Sequence, residues 1–359
     1  MIFESIILTC LNRINGERTS SSVYHLLKGK RSIQTLQDAR IFQIENFYGI
    51  HKNLSKQHYD KFIQLCLERN WIRKCADDTY LVINDSEISA TNWLKKFNGM
   101  RYVDKTDVFY KRLLLLIQTL TNTKQNNLSF IPIIDDYRIE KWVKKVYQKL
   151  RGKEAKFLER IHSELEKILS NLTATEASLF VDRLTTYNHY GLSIAQLSTL
   201  YKMEKDDIFL QMTSILHQLL NLIEVGDYPI LASIIKDVDS RKHITLSANK
   251  TYQLLLEGYS IDYIARIRNL KRNTIYDHIV EIALYNNDFT IDQYVSKSLQ
   301  TEIIDAIHKT NSFKLKDIKE YILSDVTYFQ IRLVMAVLNN KVKLGDDDER
   351  KNNIGGSTV

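Results

Sequence analysis

Between Asn249 and Leu284 the apolar positions fall into three short helical runs separated by turn residues. Tyr252, Leu255 and Leu256 carry the first run, and Gly258 ends it by taking a left-handed backbone at no steric cost. Ser260 caps a second helix whose apolar positions Ile261, Ile264, Ala265 and Ile267 keep helical spacing. The turn Arg268-Asn269-Leu270-Lys271-Arg272 leads to a third helix, capped by Asn273, with Ile275, Ile279 and Ile282 facing inward. At about 100° per residue, Asp277, Val280, Glu281 and Leu284 fall on the outer face, and His278 sits on the flank as a packing and hydrogen-bonding residue. This is the order of a helix-turn-helix, whose last helix ordinarily meets the major groove by its N-terminal end.

The pattern repeats upstream. Gly191-Leu192-Ser193-Ile194 aligns without a gap on Gly258-Tyr259-Ser260-Ile261, and Leu197, Ile208 and Met212 fall on Ile264, Ile275 and Ile279. The alignment predicts that the core of all three helices is preserved, with Ser193 and Gln196 forming a capping box. Where the later copy carries Lys271, Arg272, Asn273 and Thr274, the earlier one carries Glu204, Lys205, Asp206 and Asp207. Acids at that position repel phosphate, so the earlier copy is read as serving packing or protein contact.

The rest of the chain is predicted as mainly α. Helices are expected over 3–15, 21–27, 32–46 and 55–69, followed by two short strands at 71–74 and 79–83 joined by a turn at Cys75-Ala76-Asp77-Asp78. Helices followed by a hairpin fit a winged helix, and they fit equally a small helical domain closed by the hairpin. The strongly apolar FYKRLLLLIQTL and a long basic helical run from Trp142 to Leu172 form a connecting unit. The lysines of that run are read as a solvated face, the common role of charged helical surfaces. Three further helices are expected after the last helix-turn-helix. The resulting divisions are 1–105, 106–180, 181–240 and 241–345, with a disordered Gly/Ser-rich tail at 346–359.

Composition sharpens this picture. With two prolines and eleven glycines in 359 residues, a helical multi-domain protein is favoured over a sheet-rich one. A net charge of +7 is compatible with a polyanionic partner but does not require one. Cys10, Cys66 and Cys75 lack metal-ligand spacing, and the first two sit in helical patterns as small buried hydrophobes. The first residues carry an acid within the apolar run, which reads as a core helix, and no 18 consecutive residues are apolar. A cytoplasmic location without membrane partner is the expectation.

Candidate chemistry concentrates in the later helix-turn-helix. Arg268, Lys271 and Arg272 are placed to meet backbone phosphates, Thr274 and Tyr276 stand on the first turn within reach of phosphate or base edges, and the cap Asn273 completes the DNA-binding candidates. Asp277 and Glu281 on the outer face argue against tight, sequence-specific reading. Gly29-Lys30-Arg31-Ser32 fails as a phosphate-binding loop by one residue, no DExH-like box follows, and HExxH and GxSxG are missing. No catalytic residue, cofactor, metal or small-molecule substrate is therefore expected.

Two stretches resemble known proteins. The segment from about Leu246 to Asn340, with GYSIDYIARIRNLKRNTIYDHI, LKDIKEYI and VTYFQIRLVMAVL, resembles the helix-turn-helix domain that closes many RecQ-type helicase chains. SSSVYHLLKGKRSIQTLQDA resembles the opening motif of the YpbB family, companions of a short RecQ-like helicase in Gram-positive bacteria. The resemblance implies a non-catalytic DNA-binding or adaptor protein acting with a RecQ-like helicase in repair or recombination. A transcription regulator, or a protein-binding scaffold that does not touch DNA, are the alternatives.

Overall fold

Helical periodicity is realised in the computed structural model, which describes residues 1–75, 78–84, 91–238 and 244–338. The helices are α1 (Ile2–Ile14), α2 (Ser20–Lys28), α3 (Ile33–Ile41), α4 (Lys56–Glu68), α5 (Thr91–Lys96), α6 (Gly99–Tyr102), α7 (Thr106–Lys124), α8 (Tyr137–Leu150) and α9 (Glu154–Leu169). They continue as α10 (Ala174–Val181), α11 (Ile194–Tyr201), α12 (Lys205–Val225), α13 (Pro229–Ile235), α14 (Leu246–Leu256), α15 (Ile261–Ile267), α16 (Arg272–Tyr285), α17 (Lys297–Thr310) and α18 (Leu315–Tyr321). A last helix, α19, spans Tyr328–Leu338. Strands β1 (Ile72–Lys74) and β2 (Tyr80–Val82) form an antiparallel hairpin, with Ile72 opposite Val82 and Lys74 opposite Tyr80. The fold is mainly α with helix-turn-helix units, as the periodicity predicts.

Local chemistry sets the helix ends. Ser32 and Ser55 accept the backbone N–H of Thr35 and His58 and so start α3 and α4. The run expected to reach Asn46 stops at Ile41, because Gln43 turns left-handed at φ 53° and Glu45–Phe47 forms a separate 3₁₀ turn. The basic run from Trp142 is likewise two helices. Gly152, at φ +78°, breaks it between α8 and α9. Two residues of the expected hairpin turn, Ala76 and Asp77, the end of the C-terminal division from 339 and the tail at 346–359 lie outside the described residues.

The chain divides into two compact units that interleave along the sequence. The first comprises 1–13, 20–30 and 45–240. A core cluster forms where α7 packs on α8 and α9, while α12 is covered by α7, α10, α11 and α13. Cys10 and Cys66 are buried, and burial pushes the Cys66 thiol up to about 12. The hairpin packs on α4. Among the described residues, α12 alone has the length and mean hydropathy, 1.3, that would let a helix cross a membrane, but 61% of that window is buried as a core helix.

Among the described residues, the second unit comprises 14–19, 31–44 and 244–338. Its centre is α16, against which α14, α15 and α3 pack. Thus α3, though flanked in sequence by helices of the first unit, contributes Leu36, Ala39 and Ile41 to the buried residues of the second. Helices precede the hairpin in the order of a winged helix, but the third of them packs on α16.

Candidate nucleic-acid interface

The later helix-turn-helix is assembled largely as its sequence directs. Thr245 caps α14 by accepting the Ala248 N–H at 3.1 Å, and Gly258 follows the helix at φ +84° with nothing within 4 Å of a notional Cβ. Its glycine is thus required for conformation, not for space. Ser260 caps α15 through the Tyr263 N–H at 3.3 Å. Asn269 then turns left-handed at φ 50°, and the Leu270 N–H closes the turn on Ala265 O at 2.9 Å. This tight turn brings α16 in earlier than expected: Lys271 occupies the cap position, makes no side-chain cap, and Asn273 lies within the first turn instead of capping it. Of the four apolar positions on α15 only Ile264 is buried, and Ile267 is 48% exposed, because a two-turn helix offers only a narrow strip to α16.

Most of the outer face predicted for α16 is covered, and only Asp277 on it stays partly exposed. Val280, Glu281 and Leu284 are buried, with Ile275, Ile279 and Ile282 buried on the expected side. Remote segments cover it. Arg40 on α3 donates to the Leu284 carbonyl and lies over the Tyr285 ring at 4.6 Å, while Arg332 on α19 pairs with Asp277 at 2.8 Å and Gln37 donates to the Arg332 carbonyl. Glu281 accepts the backbone N–H and hydroxyl of Thr245; burial raises its pKa, with those hydrogen bonds opposing. Glu281 is therefore an internal partner of Thr245, while Asp277 is engaged by Arg332 with its side chain still 44% exposed. His278 has the packing role expected of it: its Nδ1 meets the Thr251 hydroxyl at 2.8 Å, and burial, then the Arg268 charge, lowers its pKa.

What remains outside is the N-terminal end of α16. Lys271, Arg272 and Asn273 are exposed together there, beside first-turn N–H groups that no side chain caps. Arg272 reaches Asp262 at 3.4 Å with both side chains more than half exposed, a pairing too wet to hold the guanidinium from a stronger anion. Thr274 is half-buried behind them. Arg268 and Tyr276 are placed differently. The Arg268 guanidinium donates to Ser247 O at 2.9 Å, to Ser247 Oγ at 3.0 Å and to Thr251, tying the turn to α14. The Tyr276 ring lies between the Arg272 guanidinium, 5.6 Å from its centroid, and the Phe329 ring, stacked at 4.1 Å. Sequence spacing did not reveal Arg40, Phe329 or Arg332, which act from distant segments and leave no trace in the periodicity of α16.

An exposed helix end with two cations and uncapped N–H groups has the chemistry that suits an anion such as backbone phosphate. Residues 247–335 match a family described as a helix-turn-helix domain, which supports DNA binding. Protein YpbB of Bacillus subtilis (strain 168) is 31% identical over 341 residues, covering 93% of this chain and 97% of that protein. The chain belongs to the YpbB family. No solved structure matches it.

In this member of the family the upstream copy has the same turn and a closed end. Ser193 and Gln196 form the capping box on α11, Lys202 turns left-handed at φ 52° as Asn269 does, and Leu197, Ile208 and Met212 are buried like their counterparts. The first helix does not repeat, contrary to expectation: α10 ends at Val181, and Gly191 has no positive φ. A Cβ there would lie 2.2 Å from Arg183 O, so the aligned glycines answer different needs. The acids at the N-terminal end of α12 bind the chain itself. Asp207 accepts the Phe3 N–H at 2.9 Å, and Asp206 pairs with His51 at 2.8 Å and His58 at 2.9 Å. The His51 hydrogen bond chiefly holds the Asp206 carboxyl below its ordinary value; burial pushes Asp207 up. Segments around α1 and α4 thus occupy the place that phosphate takes at an open helix-turn-helix.

Proposed function

We propose that this protein is a non-catalytic, cytoplasmic DNA-binding adaptor that works with a RecQ-like helicase in DNA repair or recombination. The observation that carries the reading is the burial of Ile275 and of His278 through Leu284 on α16, with Lys271, Arg272 and Asn273 left at its exposed N-terminal end. A helix held this way meets the sugar-phosphate backbone end-on and cannot lie along a groove, so its contacts position the duplex more than they read its sequence. Thr274 stands behind the phosphate contacts, while Arg268 and Tyr276 hold the turn and the Arg272 side chain in place. The helicase partnership is supported by the likeness of GYSIDYIARIRNLKRNTIYDHI and VTYFQIRLVMAVL to the domain closing RecQ-type helicases, in a sequence without the motor's own nucleotide-binding motifs.

The test is gel filtration of the full chain with the RecQ-like helicase of the same cell, with and without a forked duplex. A ternary complex is expected on the fork, with salt-sensitive DNA binding by the chain alone. A helicase complex from a chain that binds no DNA would leave a protein scaffold. Selection of one palindromic sequence by a dimer would instead make it a regulator.

A further inference from the structure

The densest charge on the chain lies outside the helix-turn-helix. Residues 138–160 contain nine Lys or Arg and three Asp or Glu, a net +6 against +7 for the whole sequence. As a sequence this run reads as a solvated face, and its exposed cations fall in a row that a solvated face does not require. Lys141, Lys145 and Lys149 are exposed at successive i, i+4 positions of α8, spaced by about 6 Å along the helix axis. Arg151 and Lys153, also exposed, carry the charge around the Gly152 turn. Like charges at this spacing destabilise a helix. Elsewhere the chain relieves such positions with acids, as in Lys56–Asp60, Lys111–Asp107 and Lys316–Glu320. On α8, among the described residues, Lys144 approaches Glu140 only to 3.8 Å, and Lys145 is within electrostatic reach of Asp237.

The other face of α8 decides which polyanion fits. Ile139 and Val143 are buried, and Trp142, Val146 and Tyr147 pack on the first unit's core. An interfacial membrane helix must insert that apolar face into lipid, and here it is already committed. A phosphate backbone needs only the cationic row.

We propose that α8 and the α8–α9 corner form a second, sequence-independent binding surface for the phosphate backbone of duplex nucleic acid, located in the first compact unit. It rests on the proposed DNA-binding reading for its ligand, and it uses residues separate from those of α16.

The test compares the full chain, Lys141→Gln/Lys145→Gln/Lys149→Gln and Lys271→Ala/Arg272→Ala on a random-sequence duplex several helical turns long, over a salt series. At about 0.9 per phosphate contact, the triple variant is expected to make the slope of log K against log salt shallower by roughly 2.7. Relief of repulsion should leave its thermal midpoint equal to or above that of the parent. An unchanged slope in the triple variant, with a reduced slope in the α16 variant, overturns this proposal and leaves the α16 site standing. The reverse pattern overturns the α16 site alone. A parent chain that shows no salt-dependent duplex binding overturns both. Lysine-dependent binding to phosphatidylserine vesicles without an effect on duplex binding also overturns the proposal, as does a fall in thermal midpoint that accounts for the lost affinity.

Discussion

Lys271, Arg272 and Arg268 lie within five residues of one another, yet the structure separates them into two kinds of cation. Lys271 and Arg272 end in solvent at the N-terminal end of α16, whereas Arg268 is spent on Ser247 and Thr251. Each phosphate contact contributes about 0.9 to the slope of log K against log salt. Lys271→Ala/Arg272→Ala should therefore reduce that slope by about 1.8, with little effect on stability because both side chains are exposed and the Asp262 pairing is weak. Arg268→Ala should do the opposite. It removes hydrogen bonds from a charged donor, worth about 1.5–3 kcal/mol, and leaves Thr251 and His278 buried with fewer partners. A loss of about 2 kcal/mol, with the salt slope unchanged in the fraction that remains folded, is the expectation. Anisotropy of a labelled duplex over a salt series gives the slope, and urea unfolding gives the stability. The reasoning is refuted if Arg268→Ala lowers the slope as much as Lys271→Ala while its unfolding midpoint stays put.

Three further outcomes follow from the geometry. Burial, then the Lys52 charge, holds the pKa of His217 at about 3, and its Nδ1 accepts the Asn98 N–H at 3.0 Å. A depressed pKa contributes stability fully above the unfolded value of about 6.5 and loses it as pH falls toward 3, by up to ~1.4 kcal/mol per pH unit. His217→Gln should flatten that dependence in urea midpoints measured between about pH 6 and 4, and an unflattened profile would remove His217 from the acid response. Asp207→Ala orphans the Phe3 N–H and should cost about 1–3 kcal/mol, with faster amide exchange at Phe3; exchange at the parental rate would show that the bond does not hold α1. Gly258→Ala should cost about 1 kcal/mol through its left-handed backbone alone, whereas Gly191→Ala, crowded by Arg183 O, should cost about 2–3 kcal/mol; equal losses in thermal unfolding would undo the distinction.

The helix-turn-helix was legible because its determinants are local. Ser260 can cap only the residues that follow it, and Gly258 ends a helix wherever its neighbours permit. The predicted inward residues Ile275, Ile279 and Ile282 are buried for the same reason: periodicity records the face a helix must hide. Periodicity cannot record a second covered face, and α16 has one. One buried strip is enough to explain Ile275, Ile279 and Ile282, so the spacing points Val280 and Leu284 outward and makes Glu281 a solvent-facing acid, whereas in the fold Glu281 anchors Thr245. The charge difference between the two copies was legible. What the acids bind was not, since Phe3, His51 and His58 lie some 150 to 200 positions upstream in the chain.

The sequence by itself determined the helical class, the Ser193 and Ser260 caps and the cations at one helix end, all set by residues within a turn or two of one another. Tertiary structure alone decided which of those cations are available. By bringing α3 and α19 onto α16 it buried most of that helix and left its N-terminal end exposed, and by bringing α1 onto α12 it closed the equivalent end of the first copy. Burial is a property of partners remote in sequence, and no local pattern encodes which remote segment will supply them.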